Sequence, residues 1–378
     1  MILPFARLSL GGYLLYAFGY IVPLLRRDLG LSESIAGLHA SAIAIGIILS
    51  GILGERFVRR LGVDVAGRAA ILGMGAACLA VAFAPHPLVS LAGGLIFGFF
   101  AGVVLSWVNQ VLSAIGGHAA SVALARANLS ALVASLVAPL AIATLDDLGA
   151  GGRLGLLVPL PLIAIIEVIN WRRPIGTRPA PDARATQSHL VERLPAAYWR
   201  AWVVLVLVVS IEFAVVFWAS SLIVARTGSG TSEATTAAAA FVLGMVLSRA
   251  GVSTGLGARI SRTGLMTVAL VLVVVGIAGA WQATTLVLSA GSLFAAGVGV
   301  GPLYPVGVAF SLSLVRAAPD AAAARTTLAS GVAILSAPFI LAVAAEQVGL
   351  VNAWPLLGAI ALAAIGILVV TRRDSVVV

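Results

Sequence analysis

Deep inside a long apolar run stands a single acid. Glu212, in the stretch IEFAVVFW, falls about twelve residues into a segment at 199–225, hence about 18 Å from its start at 1.5 Å per helical residue. An ionisable group at that depth costs roughly 2.5–3.5 kcal/mol on insertion scales, and such groups are functional by default. Desolvation penalises the charged carboxylate, so proton uptake and substrate binding can be linked there. The alternative is a protonated Glu bonded to backbone. A second group lies in SWVNQ, where Trp107, Asn109 and Gln110 follow one another closely. Amides read hydroxyls bidentately and aromatic faces stack on sugar rings, so this set suits a polyol or sugar. Its alternative is helix–helix packing by polar hydrogen bonds, worth about 0.6 kcal/mol each. Tyr13, Tyr16 and Tyr20 fall at spacings of three and four and share one helical face. Tyr13 and Tyr16 are expected to line a cavity, with a lipid-facing aromatic belt as the alternative. Tyr304 and Pro305 mark a flexible, cavity-lining break in a tenth apolar segment. His39 is a titrating candidate, although a lone His more often satisfies a neighbour. Glu167 near Arg172 and Arg173 reads as an interfacial ion pair, and Asp146 and Asp147 as solvated loop acids.

These side chains need a membrane scaffold. The chain has 378 residues, 61% hydrophobic and 10% charged, with a mean hydropathy of +1.12, against about 25% charged in soluble domains. Twelve apolar segments follow one another: 6–25, 34–54, 69–85, 88–114, 121–145, 153–171, 199–225, 232–254, 264–281, 284–314, 321–345 and 350–371. Their lengths match a hydrocarbon core about 30 Å thick. The runs are continuous rather than alternating in twos, which predicts helices rather than a barrel. The expected architecture is an all-α polytopic protein with six helices in 1–171, a polar cytoplasmic linker at 172–198 and six helices in 199–378.

All 23 cations are arginine, and the net charge is +9. They lie between apolar runs rather than in one basic domain, so topology explains them better than nucleic acid does. With the N-terminus inside, 19 of the 23 fall on cytoplasmic stretches or segment ends, Arg7, Arg68, Arg249 and Arg325 among them. Arg26, Arg27, Arg153 and Arg226 stay outside. Both termini are therefore expected in the cytoplasm. The two halves also echo each other. LGERFVR (53–59) returns as LGARISR (256–262), Ala134–Ala138–Pro139 as Ala333–Ala337–Pro338, and GGLIFGFFAG (93–102) as GSLFAAGVGV (291–300). Offsets near 200 fit a duplicated six-helix unit, as in one class of transporters.

The densest polar feature is GILGERFVRRLG (51–62), four charges within six residues between two apolar runs. It resembles the loop between the second and third helices of the major facilitator superfamily, Gly-x-Leu-Gly-Asp-Arg-Phe-Gly-Arg-Arg. It matches at Gly51, Leu53, Gly54, Arg56, Phe57, Arg59 and Arg60, and departs at Glu55 and Val58. The resemblance implies that Glu55 and Arg56, with Arg59 and Arg60, latch a cytoplasmic gate. Gly51 and Gly54 would allow close helix contact, and an acid beside a neighbouring helix N-terminus gains from the dipole. The alternative is a topology anchor. Finer features resemble fucose permease-like sugar carriers: Glu212 with Trp218 as Glu-x5-Trp in the seventh helix, GVGVGPLYP (297–305) in the tenth, Asn109 in the fourth and Asn128 opening the fifth. That likeness implies substrate contacts for Trp218, Asn128 and Asn109. The fourth helix lacks the Arg common in drug/proton antiporters, whose Gly-x3-Gly-Pro is here Ala134-x3-Ala138-Pro139. The first helix has no acid where some sugar symporters place one.

Other chemistries are poorly represented. HExxH, GxxxxGK[ST] and metal-spaced His/Cys clusters are absent from the sequence, and GVSTG (251–255) follows no strand. The lone Cys78 excludes an intrachain disulfide, and no removed signal peptide is read at MILPFARLSLGG. The expectation is a monomeric secondary transporter of the inner membrane, with no bound cofactor, driven by the proton gradient. Its partners are a small sugar-like polar solute, protons and the lipid bilayer, with no nucleic acid. A drug or metabolite efflux antiporter is the alternative, and a non-transporting receptor or assembly factor is the alternative of another class.

Overall fold

The computed structural model describes residues 2–171, 194–253, 260–315 and 319–376. The described residues form helices: α1 (Ile2–Leu29), α2 (Glu33–Leu61), α3 (Val63–Ala82), α4 (Pro87–Ser113), α5 (Gly117–Asp147), α6 (Leu160–Ile169), α7 (Ala196–Thr227), α8 (Thr231–Ser253), α9 (Arg262–Gln282), α10 (Leu286–Ser313), α11 (Pro319–Val348) and α12 (Pro355–Val376). A 3-10 turn, Gly152–Leu157, leads into α6. Twelve of the described spans are long and apolar enough to cross a membrane. The protein is a multi-pass helical membrane protein. Most of the linker read at 172–198 lies outside the described residues.

Local chemistry sets the helix ends. Ser32 Oγ accepts the Ile35 N–H at 3.3 Å, and Thr285 Oγ1 accepts that of Leu288 at 3.3 Å; both satisfy an orphan first-turn donor. The charged knot is not a loop. α2 runs through it to Leu61 and stops at Gly62, whose φ of +79° suits glycine, and α3 begins at Val63.

Two compact units emerge: Met1–Ala180 with Thr231–Thr236, and Pro181–Gly230 with Ala237–Val378. In the first, α1 packs on α5, and α4 on both α2 and α3. In the second, α7 packs on α11, and α9 on α10. Glycines allow the closest approaches. A Cβ on Gly98 would strike the Ile43 carbonyl, and one on Gly102 the Ser50 hydroxyl; these contacts join α4 to α2. A Cβ on Gly297 would strike the Phe241 carbonyl, and one on Gly301 the Ser248 hydroxyl; these join α10 to α8. The equivalent positions are about 198–199 residues apart, so the duplication read from short echoes is also a duplication of backbone contacts. Gly51 takes no part, for a Cβ there would meet nothing within 4 Å. The face of α2 that meets α4 carries Ile43, Gly46 and Ser50.

Candidate functional site

The second unit places Glu212 halfway along α7, a 32-residue helix. Pro195 precedes the first turn, and Gly228, in the left-handed region, closes the helix by donating its N–H to the Val224 carbonyl at 2.9 Å. Every residue from Val208 to Ser220 is buried, so α7 is central to its bundle. Glu212 is 6% exposed. Facing it is Arg249 of α8, whose Nη2 lies 3.7 Å from Glu212 Oε2. That is an ion pair without a close hydrogen bond. The same guanidinium makes a tighter bond elsewhere: its Nε donates to the Gly301 carbonyl of α10 at 2.7 Å. Counted at 1.5 Å per residue, Glu212 lies about 22 Å from Thr227 and Gly301 about 22 Å from Leu286, while Arg249 lies about 27 Å from Thr231 and about 6 Å from Ser253. Arg249 thus stands near the end of α8, four residues before Ser253, yet its side chain turns into the second unit toward α7 and α10. Sequence reasoning missed this partner because it counted Arg249 with the topology arginines. Position gave no signal, because Arg249 stands near the end of its apolar segment, where topology arginines also fall.

The neighbouring candidates take different places. Trp218 is buried and donates its Nε1–H to the Pro338 carbonyl at 3.1 Å, joining α7 to α11. Tyr304 is half-buried on α10, next to an exposed Pro305; the helix runs without interruption from Leu286 to Ser313, so the break expected there is absent, because a proline inside a helix removes one amide donor and need not end it.

The first unit holds a second buried acid. Glu167 receives Arg7 Nε and Nη2 at 2.8 and 2.7 Å, while Arg68 Nε lies 3.5 Å away. Arg7 is 2% exposed and Glu167 3%. Glu167 is thus ion-paired inside the bundle with Arg7 and Arg68; Arg172 and Arg173, named beside it in the sequence, lie outside the described residues. Trp107 is the floor of this cluster, with Arg7 Cζ 4.4 Å from its ring centroid. Gly67 makes room, since a Cβ there would lie 2.6 Å from Trp107 Nε1 and 2.7 Å from Arg7 Nη1. Among the described residues neither of those two nitrogens has a hydrogen-bond partner. Trp107 points into the bundle, whereas Asn109 is exposed and Gln110 is partly exposed. Two residues along a helix turn about 200°, so the structure does not bring Trp107 and Asn109 to one face.

Tyr13 is buried and donates to the Gly155 carbonyl at 2.8 Å; Tyr16 is buried as well. Asn128 is exposed and donates to its own helix at the Leu124 carbonyl, 2.9 Å away. His39 is buried, with Nε2 2.8 Å from Ser90 Oγ and Nδ1 near the Ile35 and Ala36 carbonyls. In the knot, Gly51, Glu55, Arg56, Arg59 and Arg60 are exposed. Glu55 Oε1 pairs with Arg59 Nη1 at 3.3 Å, one turn along the same helix. Asp146, expected to be solvated, receives Arg27 Nη1 and Nη2 at 3.1 Å each. Among the described residues no group of three or more His, Cys, Asp or Glu could hold a metal ion.

Comparison with known proteins agrees with this architecture. The sequence model of the Major Facilitator Superfamily matches residues 8–337. The chain belongs to that superfamily of membrane transporters. No curated protein sequence matches it. Among solved structures, the nucleoside transporter NupG superposes with a TM-score of 0.75 at 13% identity, covering 98% of both chains. An inward-facing, unoccupied bacterial homologue of the human lysosomal transporter Spinster gives 0.75 at 13% identity, covering 98% of this chain and 96% of the other. A sulfate-bound peptide transporter, POT, gives 0.75 at 15% identity over 98% and 93%. At such identities the likeness is one of fold.

Proposed function

We propose that this protein is a secondary active transporter of a small, polar, sugar-like solute in the inner membrane, working by alternating access and coupled to protons through Glu212. The reading rests chiefly on one observation: a buried carboxylate halfway along α7 faces a guanidinium at 3.7 Å without a close hydrogen bond. At that separation the acid can change its charge without breaking a bidentate hydrogen-bonded fork to Arg249. The exposed amides of Asn109 and Asn128 and the partly exposed Gln110 and Tyr304 supply groups suited to hydroxyl-bearing cargo. The related folds include nucleoside and peptide transporters, and both names describe polar cargo. In this reading the exposed Glu55–Arg59 turn, with Arg56 and Arg60, serves the cytoplasmic gate that the family resemblance implies.

The test is charge movement in proteoliposomes challenged with monosaccharides, polyols and lipophilic cations, using wild type and Glu212→Gln. A sugar-evoked current should appear in wild type and fall at least tenfold in the variant, with substrate exchange retained. Currents evoked by lipophilic cations alone point to efflux instead. Uphill accumulation that survives in Glu212→Gln removes Glu212 from proton coupling.

A further inference from the structure

We propose that Arg249 is the positioning residue that links the charge on Glu212 to the proline-weakened turn of α10. The proposal rests on the reading of Glu212 as the proton-coupling acid.

α10 carries two interior prolines, Pro302 and Pro305. Proline has no N–H, so the carbonyl four residues before it loses its helical donor. For Pro305 that carbonyl is Gly301, and it is the one Arg249 Nε reaches at 2.7 Å. In a membrane interior a freed carbonyl must find another donor. Arg249 therefore does the work of the missing amide, with one prong of its fork on the helix that carries the proline. The other prong, Nη2, lies 3.7 Å from Glu212 Oε2. Gly301 makes the approach possible, because a Cβ there would strike the Ser248 hydroxyl on the turn that presents Arg249.

The two halves of the chain offer an internal control. The spacing that relates Phe241, Gly244 and Ser248 to Ile43, Gly46 and Ser50 places Gly51 where α8 has Arg249. The spacing that relates Gly297 and Gly301 to Gly98 and Gly102 places Ser106 where α10 has Pro305. The only proline of α4 is Pro87, in its first turn. The α2–α4 contact thus has neither the interior proline nor the guanidinium, while the α8–α10 contact has both. A topology arginine has no need of a proline opposite it, whereas a substitute donor does.

The sequence of events follows. With Glu212 charged, electrostatic attraction orients the guanidinium and holds Nε on Gly301. When Glu212 takes up a proton on a carboxylate oxygen, that attraction is lost and no other covalent bond changes. Arg249 is then freer to leave the Gly301 carbonyl, and α10 loosens at Pro305. Tyr304, beside Pro305, moves with that turn.

Hydrogen exchange of the full chain in lipid nanodiscs reads this directly. Glu212→Gln stands in for the protonated acid. It should raise exchange in the 297–308 segment about tenfold and leave the equivalent 98–109 segment unchanged. Arg249→Gln should do the same. Pro305→Ala restores the N–H for Gly301, so combining it with Glu212→Gln should abolish the response; this double variant keeps the test open if Arg249→Gln folds poorly. Faster exchange in both segments alike, or a response that survives Pro305→Ala, overturns the link. Loss of uphill accumulation in Glu212→Gln with unchanged exchange overturns the link and leaves the acid's coupling role standing. Faster exchange at 297–308 with accumulation retained supports the link and removes the coupling role.

Discussion

In the first unit Glu167 meets Arg7 through both carboxylate oxygens, at 2.7 and 2.8 Å; in the second, Glu212 meets Arg249 at 3.7 Å. Both acids are buried and both partners are arginine, yet the arrangements differ in kind. Arg7 puts two of its nitrogens on the carboxylate and lays its plane over Trp107, with Arg68 close behind. Arg249 gives its best hydrogen bond to a backbone carbonyl and leaves the acid at a distance. A bidentate, charge-assisted pair fixes geometry. A divided fork can shift its weight from one prong to the other. The first arrangement is a clamp that joins α1 to α6, and the second is suited to change. The identity of the charged residues does not make this difference; the third group each guanidinium meets does.

The largest effect that can break this comparison is on stability. Glu167→Gln leaves the buried Arg7 and the half-buried Arg68 without their counter-charge, and should cost about 3–5 kcal/mol. Glu212→Gln leaves Arg249 its bond to Gly301 and should cost about 1–2 kcal/mol. Unfolding midpoints in mixed micelles measure both. Equal losses would dissolve the distinction between clamp and switch.

A smaller effect sharpens the parallel beneath the contrast. Gly98→Ala and Gly297→Ala push a methyl against the Ile43 and Phe241 carbonyls in turn. Each should cost about 1–3 kcal/mol through overpacking, and the two losses should be similar. Thermal unfolding of the single variants checks this, and a large loss at one site with none at the other breaks the structural repeat. The smallest effect concerns Tyr13. Tyr13→Phe removes one hydrogen bond to Gly155 and should cost about 1 kcal/mol, with substrate KM unchanged. A changed KM without a stability loss returns Tyr13 to the substrate.

Much of the fold was legible because it depends on composition and length. Runs of about twenty apolar residues can satisfy their backbone in lipid only as helices, and echoes near 200 residues apart disclosed the repeat. Glu212 was legible for the same reason, since an acid in an apolar run stands out. Its partner was not. Arg249 lies near the end of its segment, where positive-inside counting absorbs arginines, and Arg7 was absorbed in the same way. Burial, which the sequence does not record, separates such residues from loop cations. Trp107 shows a related limit: its type suits a sugar platform, but Gly67 on α3 and Arg7 on α1 enclose it. The knot at 51–62 read as a loop because its charges interrupt the apolar pattern. Its backbone stays helical, since Arg and Glu are good helix formers and only Gly62 ends the run.

The sequence by itself determined twelve membrane-spanning helices, their duplication, the superfamily and the one acid deep in the seventh segment. These follow from hydropathy, period and local motif, which act along the chain. The tertiary structure decided which arginines face acids and which glycines bear close helix contacts. It also decided that the carbonyl freed by Pro305 is met by Arg249. Those relations join residues 37 to 160 positions apart (249 − 212 = 37 for the Arg249–Glu212 pair), and only the packing of helices side by side brings them into contact.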